Sequence, residues 1–153
     1  MAARKFTINL EQYDAVLFDL DGVVTRTAEI HAKVWKKLFD EYLHKKSGSG
    51  HYQRFDLRED YLKYVDGKPR YKGVQSFLAS RKIDIPYGSA NDAPDEESIC
   101  GLGNRKNQLF YELLAKEGVN VYESTISLIQ QLKINGFKTA VVSSSRNCLQ
   151  VLK

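Results

Sequence analysis

Two short apolar runs, each followed by a polar turn, constrain the fold of this chain most strongly. The first, Asp14–Asp19 (DAVLFD), leads into the acidic turn LDG, and the second, Phe137–Val142 (FKTAVV), leads into SSSRN. Short apolar runs bounded by turn residues are typical of buried parallel strands. In α/β sheets the carboxyl ends of such strands carry the chemistry. The sequence therefore predicts two buried parallel strands with their polar turns at one edge of a sheet.

The stretch between these two runs is far longer than a minimal crossover connection needs, and helical patterns dominate it. Apolar residues recur at the helical period over Ala28–Leu43 and again over Asn104–Glu117, and Gly118 is predicted to end the second of these helices. Shorter helices are predicted around Arg58–Tyr64 and Gly73–Arg81, whereas Ile83–Gly103 is rich in turn-forming residues and is interpreted as an irregular connection. These patterns predict a helical subdomain inserted after the first strand.

The bulk composition is that of an ordinary globular domain, with 42% hydrophobic and 27% charged residues. No apolar run approaches a membrane span and the N-terminus has no apolar signal region, so we expect a cytoplasmic protein with no membrane partner. The basic residues are scattered along the chain, and the net charge of +4 suits a phosphorylated small molecule as well as nucleic acid. Neither zinc-finger spacing nor an RNA-binding aromatic signature is present, so no nucleic-acid partner is expected. Cys100 and Cys148 lack metal-ligand spacing and are interpreted as free thiols; the oligomeric state stays open.

The first polar turn, Asp19-Leu20-Asp21-Gly22, places two carboxylates two residues apart at a strand end. A carboxylate is a weak nucleophile toward a phosphate dianion unless a metal ion cancels the repulsion. With a shared metal ion, one carboxylate can attack phosphorus while the other handles a proton. Gly22 permits a tight turn and a close approach of the backbone to a ligand. The Asp-x-Asp pattern alone has an alternative interpretation, an acidic turn exposed to solvent. The functional prediction therefore rests on the longer string LFDLDGVVTRT.

The segment Asp14–Trp35 (DAVLFDLDGVVTRTAEIHAKVW) closely resembles the first motif and the following helix of the haloacid dehalogenase superfamily, in its β-phosphoglucomutase-like branch. The resemblance implies a Rossmann-like α/β core, here incomplete, with an inserted and mostly helical cap. It places the partial core at residues 1–27 and 119–153 and the cap at residues 28–118.

The same resemblance implies roles for individual residues of the first motif. Asp19 would be the nucleophile that forms an aspartyl-phosphate, and Asp21 would be the general acid/base, with both residues at a Mg²⁺ site. Thr27 would lie at the hinge between core and cap, and His31 would lie near the cap interface. An ordinary helix histidine is the alternative interpretation of His31.

The second polar turn offers hydroxyl and backbone N–H groups between a strand and a helix, and such groups are natural phosphate ligands. Its residues resemble an SxS[KR]N-like pattern of the same branch. The resemblance implies that Ser143 binds the transferring phosphoryl group and that the residues after it face either the second phosphate of a bisphosphate or the other end of the substrate: Ser144, Ser145, Arg146 and Asn147. A helix-capping serine beside an exposed arginine is the alternative.

Two further candidates lie in the predicted cap. Val65–Arg70 (VDGKPR) resembles a cap loop whose arginine grips the non-transferring phosphate, which Arg70 would do by forked hydrogen bonds; an exposed turn arginine is the alternative. Arg105-Lys106-Asn107 resembles another string of the branch, in which Lys106 helps to close the cap on substrate. The pattern alone favours a solvated helix face for Lys106.

The function that the resemblance implies is Mg²⁺-dependent phosphoryl transfer or hydrolysis on a sugar phosphate through an aspartyl-phosphate. Phosphatase and phosphomutase both stay open, because they differ in whether water or a substrate hydroxyl takes the phosphoryl group. Superfamily members carry a lysine and further acidic ligands several tens of residues after the second motif, whereas this chain ends at Lys153. We therefore expect the chain by itself to be inactive; a non-catalytic fragment that acts by binding or assembly is the alternative.

Overall fold

Residues 8–48 and 50–153 are described by the computed structural model of the chain, and they form two compact units. One unit joins the described residues up to Arg26 to Asn120–Lys153, and the other is Thr27–Val119. Residues 1–7 of the expected core lie outside the described residues. In chain order the elements are β1 (Ala15–Asp19), α1 (Thr27–Ser47), a π-helical turn (Tyr61–Val65), α2 (Arg70–Ser80), α3 (Ile99–Glu117), α4 (Glu123–Ile134), β2 (Lys138–Val142) and α5 (Cys148–Val151).

The first unit is built on the two predicted strands. Strand β1 pairs with β2 in parallel, in a register that sets Asp19 opposite Val142. Helix α4 packs against β2 within the same unit. The predicted parallel pairing is confirmed, and with it an α/β architecture that matches an incomplete Rossmann-like core.

The prediction that both strands are buried is wrong. Along β1, Phe18 is 7% exposed but its neighbour Leu17 is 66% exposed, and along β2 Val142 is 57% exposed. Successive side chains of a strand point to opposite faces of the sheet. The described residues supply a two-stranded sheet with α4 packed on β2, which leaves one face open to solvent.

The second unit is helical and has an aromatic core. Phe39 of α1 lies at its centre, with ring centroids 5.2 Å from Trp35, 5.1 Å from Phe55 and 4.0 Å from Phe77. Phe39, Phe55 and Phe77 are almost inaccessible to solvent. Each buried aromatic ring removes a large apolar area from water, so this cluster is a major source of stability for the unit.

Helix α3 begins earlier than predicted, so the irregular interpretation of Ile83–Gly103 is wrong over its last five residues. The Ser98 hydroxyl accepts the N–H of Gly101 at 2.9 Å and caps the helix at Ile99. Gly118, with φ +72°, ends the helix as predicted. Two glycines in the first turns of α3 disguise its start, because glycine is a poor helix former.

Two smaller observations complete the fold. Cys100 is buried, Cys148 is half-buried, and both are free thiols. Among the described residues, every helix is too short or too polar to cross a membrane.

Candidate functional site

The first polar turn is held by its own backbone. The buried carbonyl of Leu20 accepts the N–H groups of Val24 and Thr25 at 3.0 and 2.9 Å and the Thr25 hydroxyl at 3.2 Å. Gly22 has φ +86° and donates its N–H to the Thr25 carbonyl at 2.7 Å. A left-handed backbone at this point favours glycine, so the predicted tight turn is confirmed. The turn therefore presents its two carboxylates from a fixed backbone.

Asp19 is the last residue of β1, and its side chain is exposed. Its Oδ1 accepts the N–H of Leu20 at 2.8 Å, which orients the carboxylate. Within the described residues the Asp19 carboxylate forms no ion pair. One oxygen is thus held by the backbone while the carboxylate keeps its uncompensated negative charge.

The second polar turn follows β2 and is organised by serine hydroxyls. The Ser143 Oγ accepts the N–H of Ser145 at 3.0 Å and donates a long hydrogen bond of 3.4 Å to Oδ2 of Asp21. The Ser145 Oγ accepts the N–H of Asn147 at 3.2 Å, and Asn147 is buried just before α5. Ser144 and Arg146 of the same turn are exposed.

These contacts bring the two predicted turns together at the carboxyl edge of the sheet. Asp21 meets Ser143 directly, and the strand register sets Asp19 beside Val142, the residue that precedes Ser143. The oxygen donors of Asp19 and Asp21 are of the hard type that Mg²⁺ prefers. Among the described residues, no group of three or more histidine, cysteine, aspartate or glutamate side chains is placed to hold a metal ion, so a metal site at this edge would rest on these two aspartates.

The second unit pairs His31 of α1, which is half-buried, with Lys106 of α3, which is buried. Lys106 Nζ lies 2.6 Å from His31 Nδ1, 5.3 Å from the Trp35 ring centroid and 5.1 Å from that of Phe110. The His31 ring stacks on Phe110 at 4.4 Å. Lys106 is only 6% exposed, so its interpretation as part of a solvated helix face is wrong. Aromatic faces attract a cation electrostatically, and here they replace part of its hydration.

The protonation state of His31 follows from this surrounding. Burial, and next the positive charge of Lys106, lowers the pKa of His31 from 6.5 to about 3. The imidazole is therefore neutral at physiological pH. A lysine ammonium can only donate hydrogen bonds, so Nδ1 of His31 accepts and the ring proton resides on Nε2. His31 therefore acts here as a hydrogen-bond acceptor for Lys106.

The remaining candidates lie at the starts of two helices. Thr27 is the first residue of α1 and is fully buried. Arg70 is the first residue of α2 and is half-buried, with its guanidinium carbon 5.2 Å from the Tyr71 ring centroid. The Arg70 guanidinium makes neither an ion pair nor a hydrogen bond with any described residue.

Sequence reasoning missed the aromatic partners of the His31–Lys106 pair. Trp35 follows His31 by four residues, and Phe110 follows Lys106 by four, so each pair shares a helix face. That spacing was a usable signal for a polar residue placed against a ring. The contact of Lys106 with Trp35 joins two helices, and no spacing within one helix predicts it.

Comparisons with known proteins identify what this fold and these turns are similar to. A family model for haloacid dehalogenase-like hydrolases matches residues 13–152. A Mycobacterium tuberculosis protein named beta-phosphoglucomutase is 45% identical over 144 residues, which cover 93% of this chain and 55% of the relative. The chain thus spans about half the length of this relative.

Solved structures give the same fold. CbbY from Rhodobacter sphaeroides in complex with phosphate superposes with a TM-score of 0.61 at 22% identity, covering 92% of this chain and 55% of that one. A mutant of CbbY in complex with xylulose-(1,5)bisphosphate gives a TM-score of 0.58 at 20% identity, covering 87% of this chain and 52% of that one.

Proposed function

The chain belongs to the haloacid dehalogenase-like hydrolase family, and from that premise we propose that it carries the nucleophile of a phosphoryl-transfer enzyme acting on a sugar phosphate. The observation that carries this proposal is the parallel register of β1 and β2, with Asp19 opposite Val142. Because carboxyl ends of neighbouring parallel strands share one edge, Asp19 and Ser143 can address the same phosphoryl group.

Asp19 is proposed as the nucleophile. Its carboxylate oxygen attacks phosphorus, the bond from phosphorus to the sugar oxygen breaks, and an aspartyl-phosphate forms. Asp21 gives its proton to the departing oxygen, and later takes a proton from the water or sugar hydroxyl that attacks the aspartyl-phosphate. The fixed Asp19 oxygen supports this role, because an oriented nucleophile needs less rearrangement to attack.

The second turn is proposed to bind the phosphoryl oxygens. Ser143 offers its hydroxyl to the transferring phosphoryl group, and the residues from Ser144 to Asn147 offer two hydroxyls, an exposed guanidinium and an amide to a second phosphate or the other end of the substrate. The Asp19 carboxylate and the Asp21 backbone carbonyl are the groups that would hold Mg²⁺, which would supply positive charge against the phosphate dianion.

We propose Thr27–Val119 as the cap, with Thr27 at its hinge and Arg70 and Lys106 as contacts for the distal part of the substrate. Arg70 supports this role, because its forked donors are unpaired within the described residues and it lies at the positive end of α2. A sugar phosphate is supported by the name of the mycobacterial relative and by the ligands of CbbY. A cytoplasmic location stays a prediction.

The test is to trap the phosphoenzyme. In a chimera, this chain replaces the matched region of the Mycobacterium tuberculosis relative, and the chimera is incubated with Mg²⁺ and a panel of sugar phosphates. We expect turnover and an acid-stable, base-labile label on Asp19, both abolished by Asp19→Asn. A label on serine or histidine would contradict the proposal. The nature of the product, free phosphate or an isomeric sugar phosphate, separates phosphatase from mutase.

The 153-residue polypeptide alone is the second arm of this experiment. We expect it to give no turnover, because in the described residues no cation pairs with Asp19, and one carboxylate with one backbone carbonyl makes a weak Mg²⁺ site. Turnover by the polypeptide alone that Asp19→Asn removes would contradict the expected inactivity. An inactive chimera with an intact fold would favour a non-catalytic binding or assembly module.

A further inference from the structure

The connection between α2 and α3, residues 81–98, is long for a compact domain, yet hydrogen bonds fix it. The Asp92 carboxylate accepts the Ser89 N–H at 3.0 Å and the Ser98 hydroxyl at 2.5 Å. Glu97 accepts hydrogen bonds from Tyr42 at 3.0 Å and from Lys46 at 2.6 Å, which ties the connection to α1. Long ordered connections are commonly functional. We call residues 81–98 the α2–α3 loop.

Asn104 of α3 links this loop to α2. Its Nδ2 donates to the carbonyl oxygens of Ala90 and Asp92 at 3.1 and 2.8 Å, and its Oδ1 accepts the Tyr71 hydroxyl at 2.9 Å. Because backbone carbonyls only accept hydrogen bonds, the two loop carbonyls orient the Asn104 amide with Nδ2 toward the loop and Oδ1 toward Tyr71. The loop thereby fixes the position of the Tyr71 hydroxyl.

Gly103 lets the start of α2 pack directly on the backbone of α3. A Cβ at this position would lie 2.5 Å from Cδ1 of Tyr71 and 3.3 Å from Cγ of Arg70. The Tyr71 ring is therefore held by the Gly103 backbone along one side and by Asn104 at its hydroxyl. The Arg70 guanidinium lies over this fixed ring, and cation–π attraction orients it without using its N–H donors.

We propose that Tyr71 and Asn104 are positioning residues, which hold the guanidinium of Arg70 with its donors free for an anionic group of the substrate. The α2–α3 loop sets this position through Asn104. This inference rests on the phosphate-binding role proposed for Arg70. The alternative is that the Tyr71–Asn104 hydrogen bond only holds α2 and α3 together. In that case, removing the bond would leave the affinity of Arg70 for anions unchanged.

The experiment follows the Arg70 Nε–H resonance of the ¹⁵N-labelled 153-residue chain during titration with inorganic phosphate at constant ionic strength. The resonance is assigned by its absence in Arg70→Lys. We expect phosphate to shift it in the unaltered chain. Tyr71→Phe keeps the ring but removes the hydroxyl, and we expect the phosphate affinity reported by Arg70 to fall about threefold to tenfold, the range of one net hydrogen bond.

Three further variants make the test specific. Asn104→Ala should weaken phosphate binding as Tyr71→Phe does, and the double variant should be no weaker than either alone, because both remove one shared interaction. Tyr87→Phe is the matched control, since Tyr87 lies in the same loop and its hydroxyl has no hydrogen bond within the described residues. Unfolding followed by the fluorescence of Trp35, the single tryptophan of the chain, reports whether each variant is folded.

The outcomes separate this inference from the function on which it rests. If phosphate leaves the Arg70 resonance unmoved in the unaltered chain, the role proposed for Arg70 is wrong. If phosphate moves the resonance but Tyr71→Phe and Asn104→Ala bind phosphate as the unaltered chain does, Arg70 binds anions and the positioning role is overturned.

Discussion

The two compact units hold their candidate functional side chains in opposite ways. In the unit Thr27–Val119, Lys106 is buried between two aromatic rings and hydrogen-bonds His31, so a candidate substrate contact is also part of the core. In the unit built on β1 and β2, Asp19 and Arg146 project from an open sheet edge and make few contacts. Function and stability should therefore be coupled in the helical unit and separable in the sheet unit.

This contrast follows from what surrounds each element. Helix α1 buries a continuous stripe against α3, and its buried residues recur at the helical period. The strands alternate between the side that Phe18 faces and the open side that Leu17 faces. Substitutions in the two units should consequently differ in which property they damage, and by how much.

The largest expected effect lies in the sheet unit and is on chemistry alone. In the active chimera, Asp21→Asn should reduce kcat/KM by about 10²–10⁴-fold, because the amide cannot exchange the proton that the leaving oxygen needs. The free energy of unfolding should change by less than about 1 kcal/mol, since asparagine keeps the shape of the side chain and an oxygen acceptor for Ser143. Steady-state kinetics and urea unfolding measure the two quantities. A loss of stability as large as the loss of rate would erase the contrast.

The next effect is on stability in the helical unit. Phe77→Ala removes a ring with no solvent exposure that contacts Phe39 and Phe55, and it should lower the free energy of unfolding by about 3–5 kcal/mol. Trp35 fluorescence reports this transition. Phe137→Ala in the sheet unit is the matched control, because it should leave the Trp35 transition in place while it speeds amide exchange in β2. Equal effects of both variants on Trp35 would show that the units unfold as one.

The third effect concerns pH and His31. The pKa of His31 lies near 3 in the folded chain and near 6.5 in the unfolded chain. As pH falls through 6.5, the unfolded chain therefore binds a proton that the folded chain does not bind. The stabilising contribution is therefore complete above pH 6.5 and is lost as pH falls toward 3. Between pH 7 and pH 5 the unaltered chain should lose about 2 kcal/mol through this group.

His31→Asn tests that sign. The asparagine oxygen can replace Nδ1 as an acceptor for Lys106 but does not titrate, so the difference in unfolding free energy between pH 7 and pH 5 should shrink by about 2 kcal/mol. His51→Asn, at an exposed histidine, is the control and should keep the pH dependence of the unaltered chain. An unchanged pH dependence in His31→Asn would mean that the imidazole is not neutral in the folded chain.

Features set by local chain chemistry could be predicted from the sequence. The parallel strands follow from two apolar runs that end in polar turns, the tight turn at Gly22 from its conformational freedom, and the end of α3 from Gly118. The pairing of Asp21 with Ser143 agrees with both lying at strand ends. The specific roles of Asp19 and Asp21 came from the family resemblance and stay predictions.

Features set by tertiary contacts could not be predicted. The sequence pattern favours a solvated Lys106, because its contact with Trp35 joins two helices and no spacing within one helix indicates it. The start of α3 was hidden because Gly101 and Gly103 resemble turn residues, although a Cβ at Gly101 would collide with the Glu96 carbonyl and one at Gly103 with Tyr71. The run of apolar residues in β1 does not indicate which face of the strand is covered by other parts of the unit.

The smallest expected effect is at Leu17, on the open face of β1. Leu17→Thr should change the free energy of unfolding by no more than about 0.5 kcal/mol, because the leucine is already 66% exposed and threonine suits a strand. Phe18→Ala at the next position is the matched contrast and should cost about 3 kcal/mol, since that ring is 7% exposed on the covered face. Amide exchange at Ala140, which pairs with Leu17 in the sheet, measures both. A cost above about 2 kcal/mol for Leu17→Thr would mean that another surface covers this face in solution, and the sheet unit would then resemble the helical unit after all.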